Sequence, residues 1–195
     1  MSDKPLRLLL ARHPHFAPGQ MKLGLLLQSL NRLDEAAVCY RKCAELEPQN
    51  GAADFNLGVV AEAQGKPDEA MTAYQQAVAK DPKLAAAHYN LGVIAKTNQD
   101  MEAAAAHFRA AVEAQPDYIE ALNNLGTVLQ AQDKVEEAAS FYQKALDIRD
   151  DFPATWHNMG LAQQHLGNLD DAIHAYRKAI ELKHGMPETH FNLGA

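Results

Sequence analysis

Five asparagines, Asn56, Asn90, Asn124, Asn158 and Asn192, stand 34 residues apart along this chain. A side-chain amide offers two donors and an acceptor with two lone pairs. A row of amides can therefore hold peptide backbone groups from both sides without reading side chains. The competing use is structural, in bonds to neighbouring elements, and the residues alone leave both open. Other candidate chemistry is weaker. His157 and His165 lie eight residues apart, about 12 Å along a helix axis, too far to share one ion directly. His13-Pro14-His15 sits in a loop. Zinc normally takes four ligands, and no Cys or acidic partner falls at a suitable spacing. Ser2, Ser29 and Ser140 have no repeatable relation to a His or Asp, and no Gly-rich phosphate loop is present. These residues predict no catalysis, no metal and no cofactor.

The asparagines belong to a longer recurring unit. Asn-Leu-Gly (Met in place of Leu at 159) recurs from Asn56 to Gly194, and Lys22-Leu23-Gly24 is an altered first copy. Six glycines in one register, with no insertion or deletion, mark a stacked repeat array. Numbering each glycine as position 8 gives units 17–50, 51–84, 85–118, 119–152 and 153–186. Half units flank them at 1–16 and 187–195.

Apolar residues recur at three- and four-residue spacing within each unit, which predicts two amphipathic helices per repeat. Helix A closes near position 15, where Gly65 and Gly167 can turn left-handed. Helix B follows at once. Pro67 suits its first turn, and Asp100 and Asn168 are candidate N-caps. Asp34-Glu35, Asp68-Glu69, Glu102, Glu136-Glu137 and Asp170-Asp171 face the positive end of the helix dipole. They read as helix starters, not a catalytic carboxylate cluster. Pro48, Pro82 and Pro116 end helix B. Asp150 and His184 replace them in the last two units, where Pro153 and Pro187 open the next helix A.

Packing columns complete the pattern. Position 20 is Ala in all five units, and position 24 is aromatic throughout: Tyr40, Tyr74, Phe108, Tyr142 and Tyr176. Large rings against small residues form a core stripe. Cys39 and Cys43 read as small buried thiols, since Cys43 shares its column with Ala77, Ala111, Ala145 and Ala179.

Gly at 8, Ala at 20, an aromatic at 24, Ala at 27 and Pro at 32 resemble the tetratricopeptide repeat, over essentially the whole chain. Trp156 is the only Trp at position 4, and position 11 lacks Tyr. Residues 1–16 look like the helix B of an earlier unit, with Leu6, Leu9 and Leu10 on its apolar face and Pro14 in the terminating column. The resemblance implies an all-α solenoid, a right-handed superhelix of antiparallel helix hairpins, with helix A lining a concave groove. It also implies that positions 2, 5, 6, 9, 12 and 13 face the ligand. Read residue by residue, these supply Asn56, Asn90, Asn124 and Asn158, with Phe55, Tyr89, Asn123 and His157 at position 5. Val59, Val93 and Thr127 follow at position 9 and Lys96 at position 12. The lysines that a chaperone-type carboxylate clamp needs at positions 2 and 5 are missing. A similar asparagine ladder occurs in the repeat domain of O-linked N-acetylglucosamine transferases.

The implied function is a protein-interaction scaffold that takes an extended peptide segment of a partner into the groove. The alternatives are the substrate-recruiting arm of a larger enzyme, such as an O-linked N-acetylglucosamine or SPINDLY-like glycosyltransferase, and a self-assembly module. The chain stops inside a helix A at Ala195, so it reads as a segment of a longer protein whose exposed terminal half repeats seek a partner. A net charge of −7 gives no basic footprint for nucleic acid. No apolar run reaches the roughly 18 residues of a membrane span, and Met1 to Ala11 is too short for a signal peptide. The expected location is cytoplasmic.

Overall fold

The 34-residue columns become pairs of helices. The computed structural model describes residues 3–183 and 186–194, so Ser2, His184 and Ala195 lie outside the described residues. Every regular element among the described residues is a helix: α1 (Lys4–Arg12), α2 (Ala17–Ser29), α3 (Leu33–Leu46), α4 (Ala52–Ala63), α5 (Pro67–Lys80), α6 (Ala85–Thr97), α7 (Met101–Ala114), α8 (Ile119–Ala131), α9 (Val135–Ile148), α10 (Pro153–His165), α11 (Leu169–Leu182) and α12 (Pro187–Gly194). None is long and apolar enough to cross a membrane. Two compact units, residues 1–91 and 92–195, divide within α6. In the first, α2 packs on α3, α3 on α4 and α4 on α5. The second pairs α8 with α9 and α10 with α11, and α12 lies against α11.

Each hairpin turn is closed in the same way. The residue at position 15 takes a positive φ: Asn31 at 57°, Gly65 at 72°, Gln99 at 62°, Asp133 at 62° and Gly167 at 79°. The next amide then reaches back five residues, as in Arg32 N–H to the Leu27 carbonyl and Lys66 N–H to the Ala61 carbonyl, each at 2.9 Å. This left-handed closure satisfies carbonyls that a helix end leaves without partners. The two glycines fit the sequence expectation, Asn31 and Asp133 are types that tolerate this backbone, and Gln99 adopts it against its side-chain preference. Asp100 caps α7, accepting from the Ala103 N–H at 3.0 Å. Asn168 makes no side-chain cap on α11; its Nδ2 donates to Gln163 Oε1 at 2.9 Å.

The aromatic column holds each hairpin shut. Tyr40, Tyr74, Phe108, Tyr142 and Tyr176 are fully buried, and each ring lies on the position-8 glycine of its own helix A. A Cβ added at Gly58 would fall 2.4 Å from the Tyr74 ring, and one at Gly126 2.5 Å from the Tyr142 ring. Glycine is needed there for close approach, not for its φ. Both cysteines are buried and free, and burial raises both thiols. At the N-terminus, Leu6 and Leu10 pack against Leu23, Leu27 and Tyr40. Leu9 does not join that face. It is exposed and lines a surface cavity of about 600 Å³ with His13 and Phe16.

Candidate functional site

The asparagine column stands on α4 and at Asn90 of α6 in the first unit, and on α8 and α10 in the second. Position 12 ties helix A to helix B in four of the five hairpins. In four hairpins the buried phenol donates to the acceptor there: Tyr40 to Gln28 Oε1 at 2.7 Å, Tyr74 to Glu62 Oε2 at 2.7 Å, Tyr142 to Gln130 Oε1 at 3.2 Å and Tyr176 to Gln164 Oε1 at 2.7 Å. A buried hydroxyl needs such a partner. Burial pushes the Tyr40 and Tyr142 phenols up to about 12. Tyr74 is raised by burial and, after that, by the Glu62 carboxylate. The third hairpin departs from this. Phe108 has no hydroxyl, and position 12 is Lys96, which has no acceptor. Lys96 Nζ instead donates to Asn124 Oδ1 on the next helix A at 2.6 Å.

All four asparagines are partly buried. Asn56 Nδ2 donates to the Ala52 carbonyl one turn back at 2.8 Å and lies 3.6 Å from Met21 Sδ. Asn90 shares a hydrogen bond with the Tyr74 phenol. Asn124 Nδ2 donates to the Glu120 carbonyl at 2.9 Å. Asn158 Nδ2 donates to Asn123 Oδ1 at 3.3 Å and lies 3.5 Å from Thr127 Oγ1. The amides thus make bonds inside the chain, both within a helix and between helices. For Asn56 and Asn158 these bonds use the Nδ2 donors.

The other sequence-derived residues divide by role. Phe55 packs on the Tyr74 ring, with centroids 5.7 Å apart. His157 does the same on Tyr176 at 5.9 Å. Tyr89, Val59 and Val93 are partly exposed. Thr127 Oγ1 donates to the Asn123 carbonyl at 3.0 Å. His157 Nδ1 lies 2.7 Å from the buried Thr189 hydroxyl on α12. Burial lowers the His157 imidazole below its ordinary value, and the Glu188 carboxylate works in the opposite direction. A cavity of about 470 Å³ beside it is lined by His157, Leu161, Pro187, Glu188, Phe191 and Asn192.

In the second unit, successive A helices are therefore joined by polar rungs: Lys96 to Asn124, Asn158 to Asn123 and Thr127, and His157 to Thr189. Sequence reasoning missed these rungs and the phenol locks. Columns 12 and 24 carried the signal for the locks, since they change together in one unit only. Among the described residues no group of three His, Cys, Asp or Glu is placed to hold a metal ion.

Family comparison agrees with this geometry. A model described as tetratricopeptide repeat matches residues 21–85, 63–119 and 89–153, and a second model of the same description matches 153–185. No curated protein matches the chain. Among solved structures, YrrB, described as a TPR protein with an unusual peptide-binding site, is similar with a TM-score of 0.82 at 20% identity, over 97% of this chain and 98% of that one. MamA gives 0.72 at 25% identity, over 86% and 92%. The pilF protein of Pseudomonas aeruginosa gives 0.75 at 21% identity, over 93% and 82%. These likenesses describe the fold.

Proposed function

The chain belongs to the tetratricopeptide repeat family, and from that premise we propose that it is a non-catalytic scaffold binding an extended segment of a partner protein along its A helices. Of the 34-residue repeats 17–50, 51–84, 85–118, 119–152 and 153–186, the last four contribute one amide each to the bound segment, and the first carries Lys22 in that place. The observation that carries this reading is the state of Asn56 and Asn158. Both are partly exposed and have their Nδ2 groups engaged. Among the described residues their Oδ1 acceptors carry no bond, so each offers a peptide N–H an oriented carbonyl. Phe55, Tyr89 and Val93 give the segment an apolar anchor. Buried aromatics are frequent sources of binding energy. The peptide-binding site named for YrrB supports the same mode of action here.

The test replaces Asn90, Asn124 and Asn158 together by Ala. Each hydrogen bond contributes about 0.5–1.5 kcal/mol net, so three lost bonds weaken binding by roughly ten- to a thousandfold. The readout is fluorescence anisotropy with labelled peptides selected on the wild-type chain, alongside circular dichroism to show intact helices. Unchanged affinity in a folded triple variant refutes backbone capture by these amides.

A further inference from the structure

Lys96 is the one position-12 residue among the five hairpins that is not tied down by a phenol. Gln28, Glu62, Gln130 and Gln164 each have an acceptor oxygen committed to a buried tyrosine. At Lys96 both halves of that pair are exchanged, the hydroxyl for a phenyl ring and the acceptor for an ammonium. The phenyl ring of Phe108 still seats on Gly92, 2.7 Å from where a Cβ would lie, so the hairpin closes without the lock. The consequence falls on the site. An ammonium carries three donors and no acceptor. Lys96 uses one of them on Asn124 Oδ1 at 2.6 Å, and among the described residues it has no carboxylate partner. The same bond occupies one lone pair of the amide oxygen that Asn56 and Asn158 leave wholly to the ligand. Where those two amides offer an acceptor, the Lys96 ammonium offers positive charge and its remaining N–H donors.

We propose that Lys96, oriented by Asn124, selects an Asp or Glu side chain within the bound segment, making acidity at one register position a specificity determinant. The inference rests on the peptide-binding reading above and adds the chemistry of one residue of the peptide. Charge complementarity supports that occupant. A charge-assisted hydrogen bond is about twice as strong as a neutral one, and a carboxylate is acceptor-only, the complement of the donor-only ammonium. The net charge of −7 on the chain opposes an acidic peptide only weakly at this distance scale, because physiological salt screens beyond about 8 Å. A neutral asparagine beside the ammonium fixes its position without neutralising it.

The experiment selects phage-displayed random peptides, fused through their C-termini, on the intact 195-residue chain. Selected sequences are then made with acetylated N-termini and amidated C-termini and measured by anisotropy. Asp or Glu should be enriched at one aligned position, and its exchange for Asn or Gln should weaken binding about tenfold, roughly 1.4 kcal/mol. That discrimination should vanish in Lys96→Met and persist in Lys96→Arg. The acid-versus-amide comparison on the wild-type chain needs no variant, so it stands if Lys96→Met folds poorly. Peptides selected without acidic enrichment, or an acid preference that survives in folded Lys96→Met, overturn the inference and leave the peptide-binding reading intact. Loss of the preference once the C-terminus is amidated assigns the carboxylate to a chain end and also overturns it. If no peptide is selected, the scaffold reading fails and takes this one with it.

Discussion

The glycine–aromatic seat gives the sharpest test of how the hairpins are held, and Gly126→Ala is the perturbation to make. The added Cβ would lie 2.5 Å from Tyr142 Cε1 and 2.8 Å from Cδ1 and Cζ. Carbons pack at about 3.5–4.0 Å, so ring and helix must part by roughly 1 Å. The ring cannot swing aside. It is fully buried, and its hydroxyl is held by Gln130 Oε1 at 3.2 Å. Overpacking of this kind costs about 1–3 kcal/mol, and a stiff neighbour puts it near 3. Alanine recovers about 0.5–1 kcal/mol of helix propensity, leaving a net loss of about 2 kcal/mol. In a chain of this size that lowers Tm by about 4–8 °C, measured by circular dichroism with urea midpoints alongside. Two controls fix the cause. Gly194→Ala meets nothing within 4 Å and should not destabilise. In a Tyr142→Ala background the seat is empty, so Gly126→Ala should become neutral or stabilising by up to about 1 kcal/mol. A Gly126→Ala protein that melts at or above wild type refutes the reasoning. So does an equal loss in both backgrounds.

Two pH effects follow from burial. The Tyr40 and Tyr142 phenols are held neutral, with values of about 12 against an ordinary 10. Their contribution is complete below pH 10 and is lost as the pH rises from 10 toward 12; urea midpoints across that window should fall, and Tyr142→Phe should flatten the slope. His157 has the opposite arrangement, its imidazole lowered from 6.5 by burial. Its stabilisation is complete above pH 6.5 and is lost as acid protonates it. Because Nδ1 meets Thr189 on α12, hydrogen-exchange protection of α12 should fall below pH 6.5 more than that of α8. His157→Gln should remove the difference.

Helix placement was legible because it rests on local, repeated chemistry: Pro67, Pro153 and Pro187 each open a helix, and the aromatic column fills the space that glycine leaves. The failures share a physical cause. Gln99 and Asp133 take left-handed backbone because the hairpin must reverse at position 15, whatever residue stands there. Asn168 had the right type for a cap, but its side chain makes none and its Nδ2 bonds Gln163. Leu9 was assigned to the apolar face of α1 by spacing alone, yet the contact with α2 and α3 is made by Leu6 and Leu10. At the site, the asparagine column was visible as a column, but the bonds of each amide depend on the register between successive A helices. The phenol locks were different. Columns 12 and 24 held the information, and only the geometry showed that they touch.

The internal bonds of the asparagines serve the structural use, and they are also compatible with binding. A free amide on a flexible side chain loses rotamer freedom when a ligand fixes it, and preorganisation removes that cost. The Ala52 carbonyl already orients Asn56, and Asn123 orients Asn158. Spacing points the same way. Packed helices lie about 8–10 Å apart, close to the roughly 9 Å that three residues of polyproline II conformation advance. Within the second unit, amides on α8 and α10 at that spacing would meet the same face of such a chain at every third residue. A pleated strand, whose faces alternate with period two, would present opposite faces to neighbouring amides. The rungs Lys96–Asn124 and Asn123–Asn158 keep that spacing from drifting, and one of them also replaces an acceptor with a cation. On this reading the same bonds set where the ladder holds backbone and where it reads charge.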